Sequence, residues 1–457
     1  MTSALRALPA ALWLLLLAGP SAIAQGVVFN RAGSGARAAG MANAFIAISD
    51  DGTAASWNPA GLGQLRMPEL SVVSTTSGWS FNAEGFRTRD DLSIYTAAHT
   101  SYQSTYLDFA SLAVPLTLWR KPVTFQAAWR RLYTLDYREA FSIIQEPLVP
   151  EGPPPLRIDR DHDLVGSVSL ASFTGAVKLT SRLALGGSFN LWRGDWSEDL
   201  VVSETTLADP GPSRFGTSSQ AFSVRGENVS LGLMLTYPRW SIGLLYQSPL
   251  LSDLSVEARE TGSDRSPAEE TAEGTLRFPR ALGLGGAWRP APRWTVALDF
   301  TWDEWTDAVI DTPVTGRINL FDGLPQELTS TRDTLSMNAG AEHLFTGEGF
   351  VIPLRFGVAW EPQGARGPYT RDPVNFVMIA AGSGYNTNSL KFDAAFQYRW
   401  ADLRDGAHFG IGELNPLLPT AVGERNNKEW RLKFSVILRV TDTDKLRRTV
   451  QKIFGGG

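Results

Sequence analysis

Residues 294–302 read WTVALDFTW. Trp294, Val296, Leu298, Phe300 and Trp302 fall on one face of an extended chain, and Thr295, Ala297, Asp299 and Thr301 on the other. Residues 390–400, LKFDAAFQYRW, repeat the pattern, with Leu390, Phe392, Ala394, Phe396, Tyr398 and Trp400 against Lys391, Asp393, Ala395, Gln397 and Arg399. Residues 430–440, WRLKFSVILRV, do so again, setting Trp430, Leu432, Phe434, Val436, Leu438 and Val440 against Arg431, Lys433, Ser435, Ile437 and Arg439. Each apolar face carries aromatics at one or both ends. A strand crossing a bilayer needs this arrangement: aliphatic side chains in the hydrocarbon, amphipathic rings at the interfaces, polar groups on the other face. A soluble sandwich also alternates, but its strands run to about five or six residues and are seldom bracketed by Trp.

Working outward, about fourteen such runs are expected, near 67–80, 105–118, 122–138, 163–178, 182–198, 222–236, 239–256, 272–288, 293–308, 331–345, 350–361, 374–385, 388–401 and 428–440. Six connections are short, around 119–121, 180–181, 238, 290–292, 346–347 and 386–387. Seven are long, near 81–104, 139–162, 199–221, 257–271, 309–330, 362–373 and 402–427. Short and long alternate. The fold class this implies is all-β: a transmembrane up-and-down antiparallel β-barrel with short turns on one side, long loops on the other and both termini on the short-turn side.

Composition agrees. Among 457 residues there are 15 Trp, 43 Gly and no Cys, so stability does not come from disulfides. No run of 18 apolar residues suggests a membrane helix; a soluble β-protein of two domains is the competitor on length alone. Residues 1–24 read as a signal peptide, with Arg6 as the positive region, Leu8 to Ala18 as the apolar region and Ala22-Ile23-Ala24 as the cleavage site. Losing Arg6 takes the net charge from −5 to −6, an acidity that argues against nucleic acid as a partner. The organisation expected is 1–24 signal, 25–66 N-terminal hatch, 67–440 barrel and 441–457 tail, the last either fraying or forming a short basic helix.

The 25–66 segment is neither strand nor one long helix. Gly33, Gly35, Gly40 and Gly52 divide it into short turns. Pro59 fixes its own φ and holds Asn58 extended, and Gly61 frees the next turn. Its many Ala, with Phe45, Ile46 and Ile48, suit a compact plug better than a surface loop. A flexible leader is the plainer alternative.

GARAAGMANAFIAISDDGTAASWNPAGL at 35–62, supported by GLMLTYPRWSIGLLYQSPL at 232–250, LRFPRALGLGGAWRPAPRWTVALDFTWDEW at 276–305 and IPLRFGVAWEP at 352–362, resembles the FadL family of outer-membrane transporters for long-chain fatty acids and aromatic hydrocarbons. The resemblance implies a fourteen-stranded barrel in the bacterial outer membrane, plugged by the hatch. A hydrophobic ligand would leave through a gap in the wall beside a kinked early strand. Asn58, Pro59 and Ala60 match the hatch motif, and Phe29 lies near the mature N-terminus, where the family closes its pocket with apolar residues. The expected partners are fatty acids or aromatic hydrocarbons and outer-membrane lipid, and the expected state is a monomer without cofactor or metal.

In the third strand Phe125, Ala127, Trp129, Arg131, Tyr133, Leu135 and Tyr137 share a face. An Arg facing lipid costs about 2–4 kcal/mol at mid-bilayer. Either Arg130-Arg131 marks a bulge or kink that turns Arg131 from lipid beside the gap, or Arg131 snorkels to an interface. Catalysis has little support: there are four His, of which His99, His162 and His408 are expected in outer loops, and no GxSxG elbow. There is no phosphate-binding loop to couple transport to an energy source. Asp50-Asp51 suggests hydrogen bonding within the hatch more than a metal site. Inward Lys391, Arg399, Arg431 and Lys433 fit a salt-bridged lumen or a ligand carboxylate. An adaptor or secretion-shuttle barrel of the same build remains the alternative function.

Overall fold

The computed structural model describes residues 33–88, 94–95, 97–118, 120–145, 156–207, 214–263, 265–313, 316–321, 324–366, 373–407 and 421–440. The signal peptide, Phe29, His408 and the 441–457 tail lie outside them.

Fourteen antiparallel strands form one closed barrel. They are β1 (Glu69–Thr88), β2 (Ala97–Leu118), β3 (Lys121–Thr134, continued by Tyr137–Gln145), β4 (Leu156–Lys178), β5 (Leu183–Thr206), β6 (Arg214–Thr236) and β7 (Trp240–Gln247 and Leu250–Gly262). There follow β8 (Arg265–Phe278 and Ala281–Trp288), β9 (Trp294–Asp303), β10 (Thr334–Thr346), β11 (Val351–Arg366), β12 (Pro373–Asn386), β13 (Leu390–Ala407) and β14 (Ala421–Arg439). Each pairs with the next, and β1 closes on β14 from Glu69↔Arg439 to Thr88↔Ala421. Closure removes the two outermost edges that an open sheet would present to lipid.

The alternation in the sequence is the alternation of the wall. Leu298 is 46% exposed on the outer face of β9, whereas Asp299 beside it is 1% exposed and points inward. Phe392, Phe396, Phe434 and Val436 also face out, while Asp393, Gln397, Arg399 and Lys433 are buried inside. Trp240, Trp288 and Trp294 ring the short-turn end on the outer face, as an interfacial aromatic girdle requires.

The strands run further toward the long-loop end than expected. β4 has 23 residues and β5 has 24, against about 9–11 needed to cross a bilayer. The stretch expected as a loop at 257–271 is a tight hairpin, with Arg259 opposite Glu269 and their side chains 2.8 Å apart. In water both faces of a strand can be polar, so the apolar period that marks a membrane strand stops before the ladder does. His99 and His162 therefore lie on β2 and β4, not in loops. His162 is buried, with Nε2 2.8 Å from Glu198 Oε1.

The β9–β10 connection folds back over the mouth. It carries a 3-10 turn at Trp305–Asp307 and short strands Val309–Thr312 and Gly316–Asn319. Trp305, Ala308 and Phe321 are buried there against Leu164, Trp192 and Phe278. This apolar cluster occupies the long-loop half of the lumen beside β3–β8.

Replacing Leu298 by Arg should cost about 2–4 kcal/mol of barrel stability, whereas Thr271→Arg in the water-exposed hairpin should cost about 0–1. Urea unfolding of the two variants in lipid vesicles checks the difference.

Candidate functional site: an opening in the wall beside a filled lumen

Residues 33–66 lie inside the barrel, bonded to inward-facing side chains around the wall. Helix α1 (Ala36–Gly40) and the 3-10 turns Ala54–Ser56 and Pro59–Gln64 are its regular pieces. Its backbone is too irregular to satisfy itself, so the wall supplies the missing partners. Asp299 of β9 accepts from the amides of Phe45 and Ile46 at 2.6 and 2.7 Å. Asn338 of β10, Gln397 of β13 and Ser241 of β7 donate to the carbonyls of Ala42, Ala39 and Ala47. Ser111 of β2 and Gln126 of β3 both donate to Gly52 O.

Asn58 joins the two halves of this segment to the wall. Its Nδ2 donates to Ile46 O and to Leu233 O of β6, each at 3.1 Å, and its Oδ1 accepts from Ala60 N at 3.1 Å. Pro59 opens the following turn at a position that needs no N–H. Ala60 is fully buried against Ala184 and Met234. The wall meets this backbone with glycines, a signal that the reading of the sequence missed. A Cβ on Gly232 would stand 2.1 Å from Asn58 Oδ1, and one on Gly243 2.4 Å from Ile46 O. Inward glycines at strand spacing were visible in the sequence, but nothing there said what approached them.

Charge anchors the other side. Arg37 pairs with Asp50 and with Glu342 of β10 at 3.1 Å, and Glu342 also meets Arg355, which reaches Asp393. Burial pushes Asp50 up, but the charges of Arg37 and Lys391 and the hydrogen bond from Arg37 together hold the carboxyl below its usual range. Asp51 accepts from Thr53 N and Oγ1. Arg399 pairs with Glu429 and Glu361, Arg431 with Glu429, and Lys433 with Asp108 at 2.7 Å. Of the inward cations singled out in the sequence, Arg399, Arg431 and Lys433 thus belong to a salt-bridged lumen. Lys391 is half-buried nearby.

The wall changes at β3. The β2–β3 ladder runs from Leu118↔Lys121 to Phe109↔Arg130. Among the described residues it goes no further, and pairing returns only at Ile94↔Gln145 and Tyr95↔Ile144. On its other side β3 slips register between Arg131 and Tyr133 against β4, leaving Leu132 as a bulge. β3 then breaks at Leu135-Asp136, where Gly166 of β4 takes φ +148° and donates its amide to Asp136 Oδ1. A Cβ at Gly166 would stand 2.4 Å from Asp195 O, so glycine alone fits this crossing. β2 also slips register at Asp108. Residues 97–108 of β2 and 131–143 of β3 are therefore without ladder pairing to each other.

The bulge corrects one expectation. Tyr133 and Leu135 do not share the outer face of Phe125; each is 3% exposed and belongs to the inner apolar cluster. One extra residue reverses every side chain beyond it. Arg130 points inward, 6% exposed, with Nη1 3.3 Å from Ser56 O. Arg131, on the opposite face, is half-buried with its guanidinium 5.1 Å from the centre of the Tyr106 ring.

Beside the opening lies a cavity lined by Ser56 of the inner segment, by Phe109, Arg130, Leu132, Leu170 and Trp192, and by Ser172, Asn190, Asn228 and Ser230. Its free space of about 30 Å³ holds about two or three water-sized bodies, so a larger ligand needs the plug or the cluster to yield. A second cavity shares Ser56 and Gln247 with the first and is lined by Asp299, Asp303 and Glu361. Ser34 O accepts from Trp57 Nε1 at 2.8 Å beside the second cavity, which Trp57 lines.

No protein-family model and no curated protein sequence matches the chain. Solved structures do. A FadL homologue from Pseudomonas aeruginosa superposes with TM-score 0.65 at 13% identity, covering 91% of this chain and 99% of that one. The Ralstonia pickettii toluene transporter TbuX gives 0.56 at 17% identity over 90% and 100%. The Pseudomonas putida toluene transporter TodX gives 0.57 at 14% identity over 90% and 100%. The chain has the fold of the FadL-type barrels.

Asp299→Ala should orphan two buried amides and speed hydrogen exchange at Phe45 and Ile46 by about tenfold while the barrel stays folded. Exchange followed residue by residue in detergent checks this.

Proposed function

We propose that the protein is an outer-membrane channel for the passive uptake of hydrophobic small molecules, fatty acids or aromatic hydrocarbons. Residues 25–66 act as its hatch, and the gap between β2 and β3 is its exit. The observation that carries the reading is the juxtaposition at Phe109 and Arg130: the wall ladder ends where a cavity begins, with the apolar cluster above and the inner segment below. A ligand entering among the outer loops would keep to apolar surface and leave sideways into lipid, avoiding both a water-filled pore and the charged outer leaflet. The outward apolar belt and closed wall place the chain in a bilayer of the kind barrels span. The FadL homologue and toluene-transporter neighbours support the same use of the fold. The barrel is read as a monomer, since its belt is complete in one chain. Asn58 and Pro59 hold the hatch; Phe29, the candidate for pocket closure, lies outside the described residues.

An adaptor role is favoured by one feature, the salt-bridged inner face of β10–β14, which is packed against the plug. Uptake of radiolabelled oleate and of toluene by cells lacking their own transporter decides between the two. The channel reading expects uptake with this protein present, lost on Asn58→Ala with Pro59→Ala and reduced by deleting residues 25–30 from a barrel that still folds. A folded deletion variant with full uptake removes the hatch role, and no uptake by assembled barrel turns the reading to the adaptor.

A further inference from the structure

We propose that the short-turn end of the barrel binds anionic phospholipid through an arc of basic residues on four successive turns. Arg120 and Lys121 stand on the β2–β3 turn, Arg182 on the β4–β5 turn, Arg239 on the β6–β7 turn and Arg293 on the β8–β9 turn. In an outer-membrane barrel the short turns face the periplasm, so the ligand is a lipid phosphate of the periplasmic leaflet. The inference is independent of what the lumen carries.

The chain sets an Arg beside a Trp at Trp119-Arg120, Arg239-Trp240, Trp288-Arg289 and Arg293-Trp294. Trp240, Trp288 and Trp294 are exposed on the outer face, and a Trp girdle sits at the level of the head groups. The neighbouring cations are thereby held at the depth of the phosphates. The apolar belt begins just above them, at Leu116, Phe125, Leu185 and Ile242. Arg120, Lys121, Arg182, Arg239 and Arg293 are all exposed, and none pairs with a carboxylate among the described residues. The four turns, LWRKP at 118–122, KLTSRL at 178–183, TYPRWS at 236–241 and WRPAPRW at 288–294, hold no Asp or Glu. Of the acids near this end, Asp50 and Glu69 are bonded to Arg37 and Arg439, and Glu348 lies on the β10–β11 turn, outside the arc. The β7–β8 hairpin at the long-loop end lacks the bias, exposing Glu257 and Glu273 beside the paired Arg259 and Glu269. Anions are therefore drawn to the short-turn end.

Hydrogen bonds fix the spacing of the arc. The carbonyls of Arg182, Arg239 and Arg293 accept the amides of Thr236, Arg289 and Leu344 at 2.8, 2.7 and 2.9 Å, which ties each turn to the strands beside it. Lys121 Nζ donates to Leu179 O at 2.7 Å and joins the first turn to the second. The Arg182 guanidinium lies 4.5 Å from the centre of the Tyr237 ring, which stacks on Trp240 at 4.1 Å. Such a stack holds the cation through the ring face and leaves its N–H donors for a phosphate, whose oxygens match the guanidinium fork. A soluble acidic partner would need these cations clear of the head groups. Arg239 and Arg293 instead adjoin girdle Trp residues, and Arg182 packs on the neighbour of one.

The test is lipid selectivity by electron spin resonance. The folded protein is placed in phosphatidylcholine vesicles with spin-labelled phosphatidylglycerol or net-neutral phosphatidylcholine as the probe. The expected result is that the anionic probe is retained over the neutral one by about fivefold or more at low salt, and that about 1 M NaCl collapses the preference. Replacing Lys121, Arg182, Arg239 and Arg293 together by Gln should bring it within about twofold of unity. Equal retention of both probes by the unaltered protein overturns the arc as a lipid site and turns it to a soluble acidic partner. An unchanged preference in the variant removes these residues as its source. Glycerol phosphate should displace no more probe than NaCl of matched ionic strength; greater displacement makes this a free-phosphate site and overturns the lipid assignment. Heat-modifiable gel mobility reports the folded barrel. If the fourfold variant fails to fold, Arg239→Gln with Arg293→Gln is read the same way, with an expected fall of about twofold.

Discussion

In hydrocarbon a peptide group has no water to bond, so a strand there must have a partner on both sides. The pairing of β1 with β14 meets this condition for the two end strands. Everything else follows from the closed ring. A closed ring encloses a lumen that must be filled or wet, and here it is filled by the chain's own N-terminal segment. The segment in turn needs polar residues on the inner face, which is why Asp299, Asn338 and Gln397 alternate with lipid-facing Leu and Phe. An opening in such a ring cannot be an omission. The unpaired stretch between β2 and β3 is flanked by register slips at Asp108 against β1 and at Leu132 against β4, and by Gly166 at φ +148°.

The lumen is not uniform. From β10 to β14 its face is a chain of ion pairs in which each buried charge has a partner, and such a set is rigid because breaking one pair strands the other charge. From β3 to β8 the face is apolar above and amide-lined below, held by dispersion and a few side-chain hydrogen bonds. Apolar contacts can be exchanged for those of an apolar ligand at little cost, whereas ion pairs cannot. The fixed side is the one that grips Arg37 of the plug, and the adaptable side is the one that meets the opening.

Much of this was legible in the sequence. Period-2 alternation bracketed by Trp indicates the belt and the number of strands, because lipid imposes that pattern directly. The inner segment is visible as a small-residue stretch with Asn58-Pro59. What could not be read was set by geometry at one residue. Tyr133 and Leu135 continue the apolar period of Phe125, yet the bulge at Leu132 turns them inward, and apolar residues suit either side of a wall that is greasy on both. The outer reaches of β4 to β8 look like loops in the sequence because water allows a strand any polarity. Burial of Trp305 and Phe321 over the mouth leaves no periodic trace, since a loop has none.

The plug also has a consequence for how the molecule is made. Ala36 bonds to Ser435, 399 residues away, and Gln397 reaches back 358 residues to Ala39. These contacts do not exist until the final strand has been added. Residues 33–66, early in the chain, are therefore the last to settle, and loops of that length close slowly. Wall assembly therefore precedes the final seating of residues 33–66, and the glycines at 232 and 243 leave room for that backbone where it seats.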